Sequence, residues 1–164
     1  MIAIMVNSEI IKKVLRREGG DKITNDPDDP GGLTKFGISK RSHPDIDIKN
    51  LTEDDAVLIY LEEYWKPSRS SELSFQLQDM YFDMVVNFGQ RRAVRILQEA
   101  CNNKNKGRKL VIDGRIGPKT LRASKSLEHD RLLAFRVMHY SKIVMKKKNL
   151  MKYYYGWIRR SMSI

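Results

Sequence analysis

The sequence predicts a mainly helical (α+β) fold with a small β-hairpin near the N-terminus, on three observations. Apolar residues recur at helical spacing over most of the chain. A dense run of turn formers, Asp26-Pro27-Asp28-Asp29-Pro30-Gly31-Gly32, interrupts that spacing once near the front. No repeat, heptad run or low-complexity tract appears. At 164 residues and 19.1 kDa the chain can bury a real core as one domain, or one with a small subdomain. With 41% hydrophobic and 31% charged residues it is neither disordered nor a membrane protein by composition.

The first periodic segment is Ser8 to Arg17, where Ile10, Ile11, Val14 and Leu15 share a face and Gly19-Gly20 stops the helix. The turn cluster follows, and then Leu33-Thr34-Lys35-Phe36-Gly37-Ile38, so a hairpin is expected within about residues 20–40. Leu51-Thr52-Glu53-Asp54-Asp55 starts the next helix, with Thr52 as cap and Asp55 approximating a capping box; it runs to about Trp65, before Pro67. A third helix is predicted over about Glu72–Phe88 and a fourth over Arg91–Asn102. After a polar loop, Asp113-Gly114-Arg115-Ile116-Gly117-Pro118 forms a compact turn. Helices over about Lys119–Leu127, His129–Lys147 and Met151–Ser161 complete the chain.

Charge is unevenly spread. Residues 1–90 carry 11 Lys+Arg against 16 Asp+Glu, and residues 91–164 carry 20 against 4, giving −5 and +16 and the overall +11. The back half is therefore drawn to a polyanion: nucleic acid, an anionic membrane surface or the polymers of a bacterial wall. One cysteine, Cys101, excludes an internal disulfide framework. His43, His129 and His139 lack ligand-like spacing, so neither a metal nor a cofactor is expected. The apolar start Met1–Val6 is too short to span a bilayer or to serve as a signal peptide. Synthesis in the cytoplasm, with any export by a route other than a cleaved signal peptide, is the expectation.

Glu18 is the residue that needs a reason. Counting on from Ile10, Ile11, Val14 and Leu15, it extends the apolar face of the first helix at its C-terminal end. Apolar surroundings and the negative end of the helix dipole both favour a protonated carboxyl, as a general acid near neutral pH requires. The opposing reading is a helix end that swings its carboxylate into water. Gly19 and Gly20 leave room for close approach. Asp21, Asp26, Asp28 and Asp29 are possible second carboxylates, and the Thr34 hydroxyl is placed to hold a water. Paired carboxyl groups are the machinery of glycosidic cleavage, although the same residues are also ordinary turn formers.

These residues carry a resemblance. Arg17-Glu18-Gly19-Gly20 followed by Asn25-Asp26-Pro27-Asp28-Asp29-Pro30-Gly31-Gly32-Leu33-Thr34-Lys35-Phe36-Gly37-Ile38-Ser39 resembles the signature of glycoside hydrolase family 108. That family holds phage-type and bacterial lysozymes (N-acetylmuramidases) and secretion-activator relatives. Asp21 stands where an aromatic commonly follows Glu-Gly-Gly, and Ser39 replaces a Thr. Tyr60 to Trp65 is similar to the family's Tyr-x-x-x-Tyr-Trp helix, and Asp83 to Gly89 to its Asp-x-x-Val-Asn-x-Gly helix. Asp113-Gly114 to Thr120 resembles the turn of small peptidoglycan-binding modules, and Gly156-Trp157-Ile158-Arg159-Arg160 the family's terminal Gly-Trp-x-x-Arg.

The resemblance implies a lysozyme-like helical fold, with residues 1–90 as the catalytic part and residues 91–164 as a basic, peptidoglycan-binding-like segment packed in the same domain. It implies Glu18 as the acid, with Asp26 and Thr34 as secondary catalytic candidates. Asp28, Asp29, Asp83, Asn87 and Tyr64 are candidates for substrate contact. For Tyr64, Trp65 and Phe82 core packing competes with sugar stacking; for Asp83 and Asn87, four apart on one face, a cleft floor competes with hydrogen bonding to a neighbouring segment. The expected activity is that of a peptidoglycan hydrolase cutting the β-1,4 bond between N-acetylmuramic acid and N-acetylglucosamine, acting as a monomer with peptidoglycan as partner. A lytic transglycosylase and a non-catalytic wall-binding or secretion-related relative are the alternatives. A nucleic-acid module would use only the basic half, and no helix-turn-helix, zinc finger or stacking platform is readable.

Overall fold

The computed structural model describes residues 2–25, 31–107 and 109–164, and side chains from residue 7 onward. Seven α-helices and one two-stranded antiparallel hairpin are present among them. Backbone contacts divide the chain into two units, Met1–Pro67 and Ser68–Ile164.

In the first unit, α1 (Ile2–Arg17) begins six residues ahead of the expected Ser8, because neither Gly nor Pro interrupts the stretch before it. Ile10, Ile11, Val14 and Leu15 are buried, as the spacing requires. The helix ends in a left-handed turn: Gly19 and Gly20 have φ of +108° and +58°, and the Gly20 N–H donates to Leu15 O at 3.0 Å.

The hairpin pairs β1 (Thr34–Lys35) with β2 (Ile38–Ser39), Thr34 opposite Ser39 and Lys35 opposite Ile38. Its two-residue connection, Phe36-Gly37, has positive φ at both positions (+54° and +74°), the conformation that matches strand twist in tight hairpins. Phe36 holds a left-handed conformation that costs a non-glycine residue about 1–3 kcal/mol, so it must be pinned. The Phe36 N–H donates to Gly20 O at 2.9 Å, the Tyr60 hydroxyl donates to Phe36 O at 3.0 Å, and the ring is buried.

Helix α2 (Glu53–Tyr60) starts with the reciprocal capping box: the Asp55 N–H donates to Thr52 Oγ1 and the Thr52 N–H to Asp55 Oδ2, each at 3.1 Å. Lys12 ties α1 to it through Asp54 (3.3 Å) and Glu53 (3.6 Å). The predicted continuation to Trp65 is a wider π-helical turn over Leu61–Trp65. Such turns insert one extra residue per turn and re-aim the side chains that follow.

The second unit contains α3 (Phe75–Phe88), α4 (Gln90–Lys104), α5 (Pro118–Ser124), α6 (His129–Lys146) and α7 (Met151–Met162). Helix α3 buries Leu77, Met80, Tyr81, Phe82, Met84 and Val85, so it is apolar over most of its circumference. Helix α4 packs against α3, α5 and α6, and α7 packs on α6. Trp157 of α7 stacks on Tyr140 of α6, with ring centroids 5.0 Å apart. The Asp113-Gly114 turn is clamped to α4 by the buried Gln98 side chain. Gln98 accepts from the Gly114 N–H at 3.0 Å and donates to Asp113 Oδ1 at 2.9 Å.

Candidate active site

Glu18 is the first residue after α1, and its backbone N–H still donates to Val14 O (3.0 Å) and Leu15 O (3.2 Å). That fixes where its side chain leaves the helix. The side chain is half-buried, and the hairpin connection lies against it: a Cβ built on Gly37 would stand 3.1 Å from Glu18 Cβ and 2.8 Å from the Tyr60 hydroxyl oxygen. Gly37 is therefore required twice, by its positive φ and by this close approach. The helix end, the hairpin tip and the Tyr60 hydroxyl of α2 meet beside the Glu18 side chain.

Tyr64, on the π-helical turn, faces the same region. Burial, followed by the charges of Glu63 and Glu18, pushes its phenol above the usual value. Its ring lies 5.1 Å from that of Tyr60, tilted by 36°. Glu63 also holds His43, with His43 Nε2 and Glu63 Oε1 2.9 Å apart. Trp65 is buried, in keeping with core packing.

Thr34 stands on β1, half-buried, and its hydroxyl donates to Gly32 O at 3.0 Å. Its backbone exchanges two hydrogen bonds with Thr24 (2.8 and 2.9 Å), which ties the strand to the segment leading out of the Gly19-Gly20 turn. Asp26, Asp28 and Asp29 lie outside the described residues.

Asp83 and Asn87 belong to the second unit and answer the other of their two readings, hydrogen bonding to neighbouring segments. Asp83 is fully buried on α3. Its Oδ2 accepts from Arg136 of α6 at 2.6 Å and its Oδ1 from Arg160 of α7 at 2.9 Å. Burial alone would push this carboxyl up, but the two guanidinium groups together outweigh it and hold Asp83 below the usual carboxylate range. Asn87, one turn on and exposed, brings its amide oxygen to 3.0 Å from Arg160 Nε and Nη2 when the amide is turned to match that donor pair. The Asp-x-x-Val-Asn and Gly-Trp-x-x-Arg motifs thus meet in one network, and the carboxylate offered for substrate contact is occupied by two arginines.

Residues 11–89 match the family profile described as Glycosyl hydrolase 108, and residues 92–162 match one described as Predicted Peptidoglycan domain. The front of the chain is a glycosyl hydrolase 108 domain. A solved structure, described as that of Brucella abortus SagA, superimposes with a TM-score of 0.67 at 24% identity, over 96% of this chain and 94% of that one; it bears on the fold. No curated protein sequence matches significantly. The glycosyl hydrolase 108 domain contains Glu18, Thr34, Tyr64 and the hairpin, and ends at Gly89, directly ahead of α4.

Reading the sequence alone passed over Tyr60, Gly37 and the His43–Glu63 pair as parts of the Glu18 surroundings. Tyr60 and Gly37 lay inside quoted motifs, so a signal existed; His43 had none. No cluster of three or more His, Cys, Asp or Glu suited to a metal occurs among the described residues. No helix among them is long and apolar enough to cross a membrane.

Proposed function

We propose that the protein is a peptidoglycan hydrolase of the N-acetylmuramidase type, with Glu18 as general acid. The observation that carries this reading is the seating of Glu18 at the end of α1, half-buried between the Phe36-Gly37 connection and the Tyr60–Tyr64 pair, within a glycosyl hydrolase 108 domain. A carboxyl fixed by a helix terminus and flanked by the half-buried Tyr64 ring is suited to protonating a glycosidic oxygen.

In this mechanism Glu18 gives its proton to the oxygen between N-acetylmuramic acid and N-acetylglucosamine as the glycosidic bond breaks. A water attacks the anomeric carbon, with Asp26, or else Asp28 or Asp29, taking its proton and Thr34 helping to place it. The peptidoglycan domain over residues 92–162 supports the choice of polymer, and its excess of positive charge favours an anionic wall. Mass spectrometry of digested, purified peptidoglycan tests the bond and the step together. Products with reducing muramic acid ends are expected. Reducing N-acetylglucosamine ends would move the cut to the other linkage, and 1,6-anhydro ends would make the enzyme a lytic transglycosylase.

A further inference from the structure

A cavity of about 640 Å³ opens beside the start of α4 in the unit Ser68–Ile164, bounded by Phe88, Arg91, Arg92, Arg95, Ile96 and His139. None of the three guanidinium groups is paired with a carboxylate among the described residues. The acidic groups near them are engaged elsewhere: Glu99 on the same wall lies 3.8 Å from Lys142 Nζ, and Asp113 Oδ1, in the adjoining groove, accepts from Gln98 and from the Arg115 N–H, each at 2.9 Å.

The stems of two of these arginines are set by the Asp113-Gly114 turn. At Gly114, with φ +76°, a Cβ would stand 2.7 Å from Arg91 Cγ and O and 3.1 Å from Arg95 Cγ, so the turn backbone lies directly on both side chains. Gln98 holds the turn there from below. Arg91 and Arg95 are one helical turn apart, so they present two planar donor forks about 5–6 Å apart at their bases. At the back, His139 packs edge-on to Phe88 (5.1 Å) and its buried Nε2 has no hydrogen-bond partner among the described residues.

We propose that this groove binds the carboxylates of peptidoglycan stem peptides. The inference rests on the peptidoglycan reading above and adds which part of the polymer the second unit recognises. The glycan strand offers hydroxyls and amides, whereas a stem peptide carries several carboxylates on neighbouring residues, separated by short alkyl groups. Bidentate guanidinium–carboxylate pairing matches the former, and the half-buried Phe88 surface suits the latter. The groups acting on His139 make it a reporter. Burial and the positive charges of Arg92 and Lys142 disfavour its protonation, opposed by Glu99, and an anion seated among the arginines cancels part of that field.

The test uses the full chain with Glu18→Gln, to prevent cleavage, and two soluble ligands: a disaccharide bearing a stem peptide and the same disaccharide without the stem, its lactyl carboxyl capped as a simple amide. Calorimetric titration should show tighter binding of the stem-bearing ligand. Arg91→Ala with Arg95→Ala should weaken that ligand by about tenfold or more, the ordinary worth of one charge-assisted pair, and leave the stem-free ligand unchanged. In the chain with both arginines intact, the stem-bearing ligand should raise the His139 titration midpoint followed by NMR. Equal affinity for the two ligands, or an unmoved His139 midpoint at saturation, overturns the proposal. So does tighter binding of duplex DNA or of a phosphodiester wall polymer at this groove. Hydrolysis of a stem-free glycan by the wild-type chain reads the Glu18 proposal separately, so the failure of one is distinguishable from the failure of the other.

Discussion

Arg160 Nη2 stands 2.9 Å from Asp83 Oδ1 across 77 positions of sequence, and with Arg136 it fastens α7 and α6 to the buried carboxylate of α3. The Arg136 side chain is fully buried. Its Nε and Nη1 have no hydrogen-bond partner among the described residues, and its guanidinium carbon lies 5.8 and 5.9 Å from the ring centroids of Phe88 and Tyr140. A network of this kind fixes which surfaces meet more than it adds to net stability, because desolvating three charged groups offsets much of their attraction.

Removing one member should therefore cost far more than the network is worth as a whole. Asp83→Ala leaves a buried cation unpaired and should lower unfolding free energy by about 3–5 kcal/mol, measured by denaturant titration. Arg160→Ala, at a partly exposed partner, should cost less.

The same carboxylate sets an acid limit. Asp83 is held below its unfolded value, so its contribution is fully present above the unfolded pKa of about 4 and is lost as pH falls through the lower folded one. Melting temperature against pH should fall below about pH 4, and Asp83→Asn should flatten that slope while lowering the plateau. A slope unchanged by Asp83→Asn would place the acid sensitivity elsewhere.

Gly37→Ala should damage both fold and site. It adds a methyl 2.8 Å from the Tyr60 hydroxyl oxygen at a residue with φ +74°. A stability loss of about 1–3 kcal/mol is expected, together with lower activity per folded molecule, because the Glu18 side chain must move. Activity normalised to folded protein separates the two effects.

Much of this arrangement was legible in the sequence, for physical reasons. The order of the helices and most of their bounds follow from apolar spacing, although α1 starts six residues ahead of Ser8; the Thr52–Asp55 box follows from its own residue types, and the hairpin from Leu33-Thr34-Lys35-Phe36-Gly37-Ile38 after a turn cluster. What was not legible is mostly non-local. The π-helical turn over Leu61–Trp65 replaces a plain helix with no Pro or Gly to signal it. The Asp83 partners lie 53 and 77 residues away, and spacing along one helix cannot name the far end of an ion pair. Glu18 stands out because a carboxylate on an apolar face is anomalous locally; the contacts of Tyr60, Tyr64 and Gly37 around it are tertiary.

Lys146, Lys147 and Lys148 lie exposed at the end of α6 and just after it, away from any role in the chemistry proposed here. Their replacement by Gln should reduce clearing of whole walls at low salt and blunt its salt dependence, since exposed charges are screened over about 10 Å at 0.1 M. Activity on a short uncharged oligosaccharide should hardly change. Equal losses on both substrates would assign the tract to the fold or the site.

The most direct measurement is the rate at which Glu18→Gln digests purified peptidoglycan, read beside its melting temperature. The amide keeps size and hydrogen bonding but has no proton to give the leaving group. General acid catalysis contributes about 10²–10⁴ in rate, so a loss of about a hundredfold or more is expected. The melting temperature should hold or rise, because a carboxylate is removed from the negative end of α1. Digestion at the wild-type rate would contradict the assignment of the acid, and with it the account of how this protein acts.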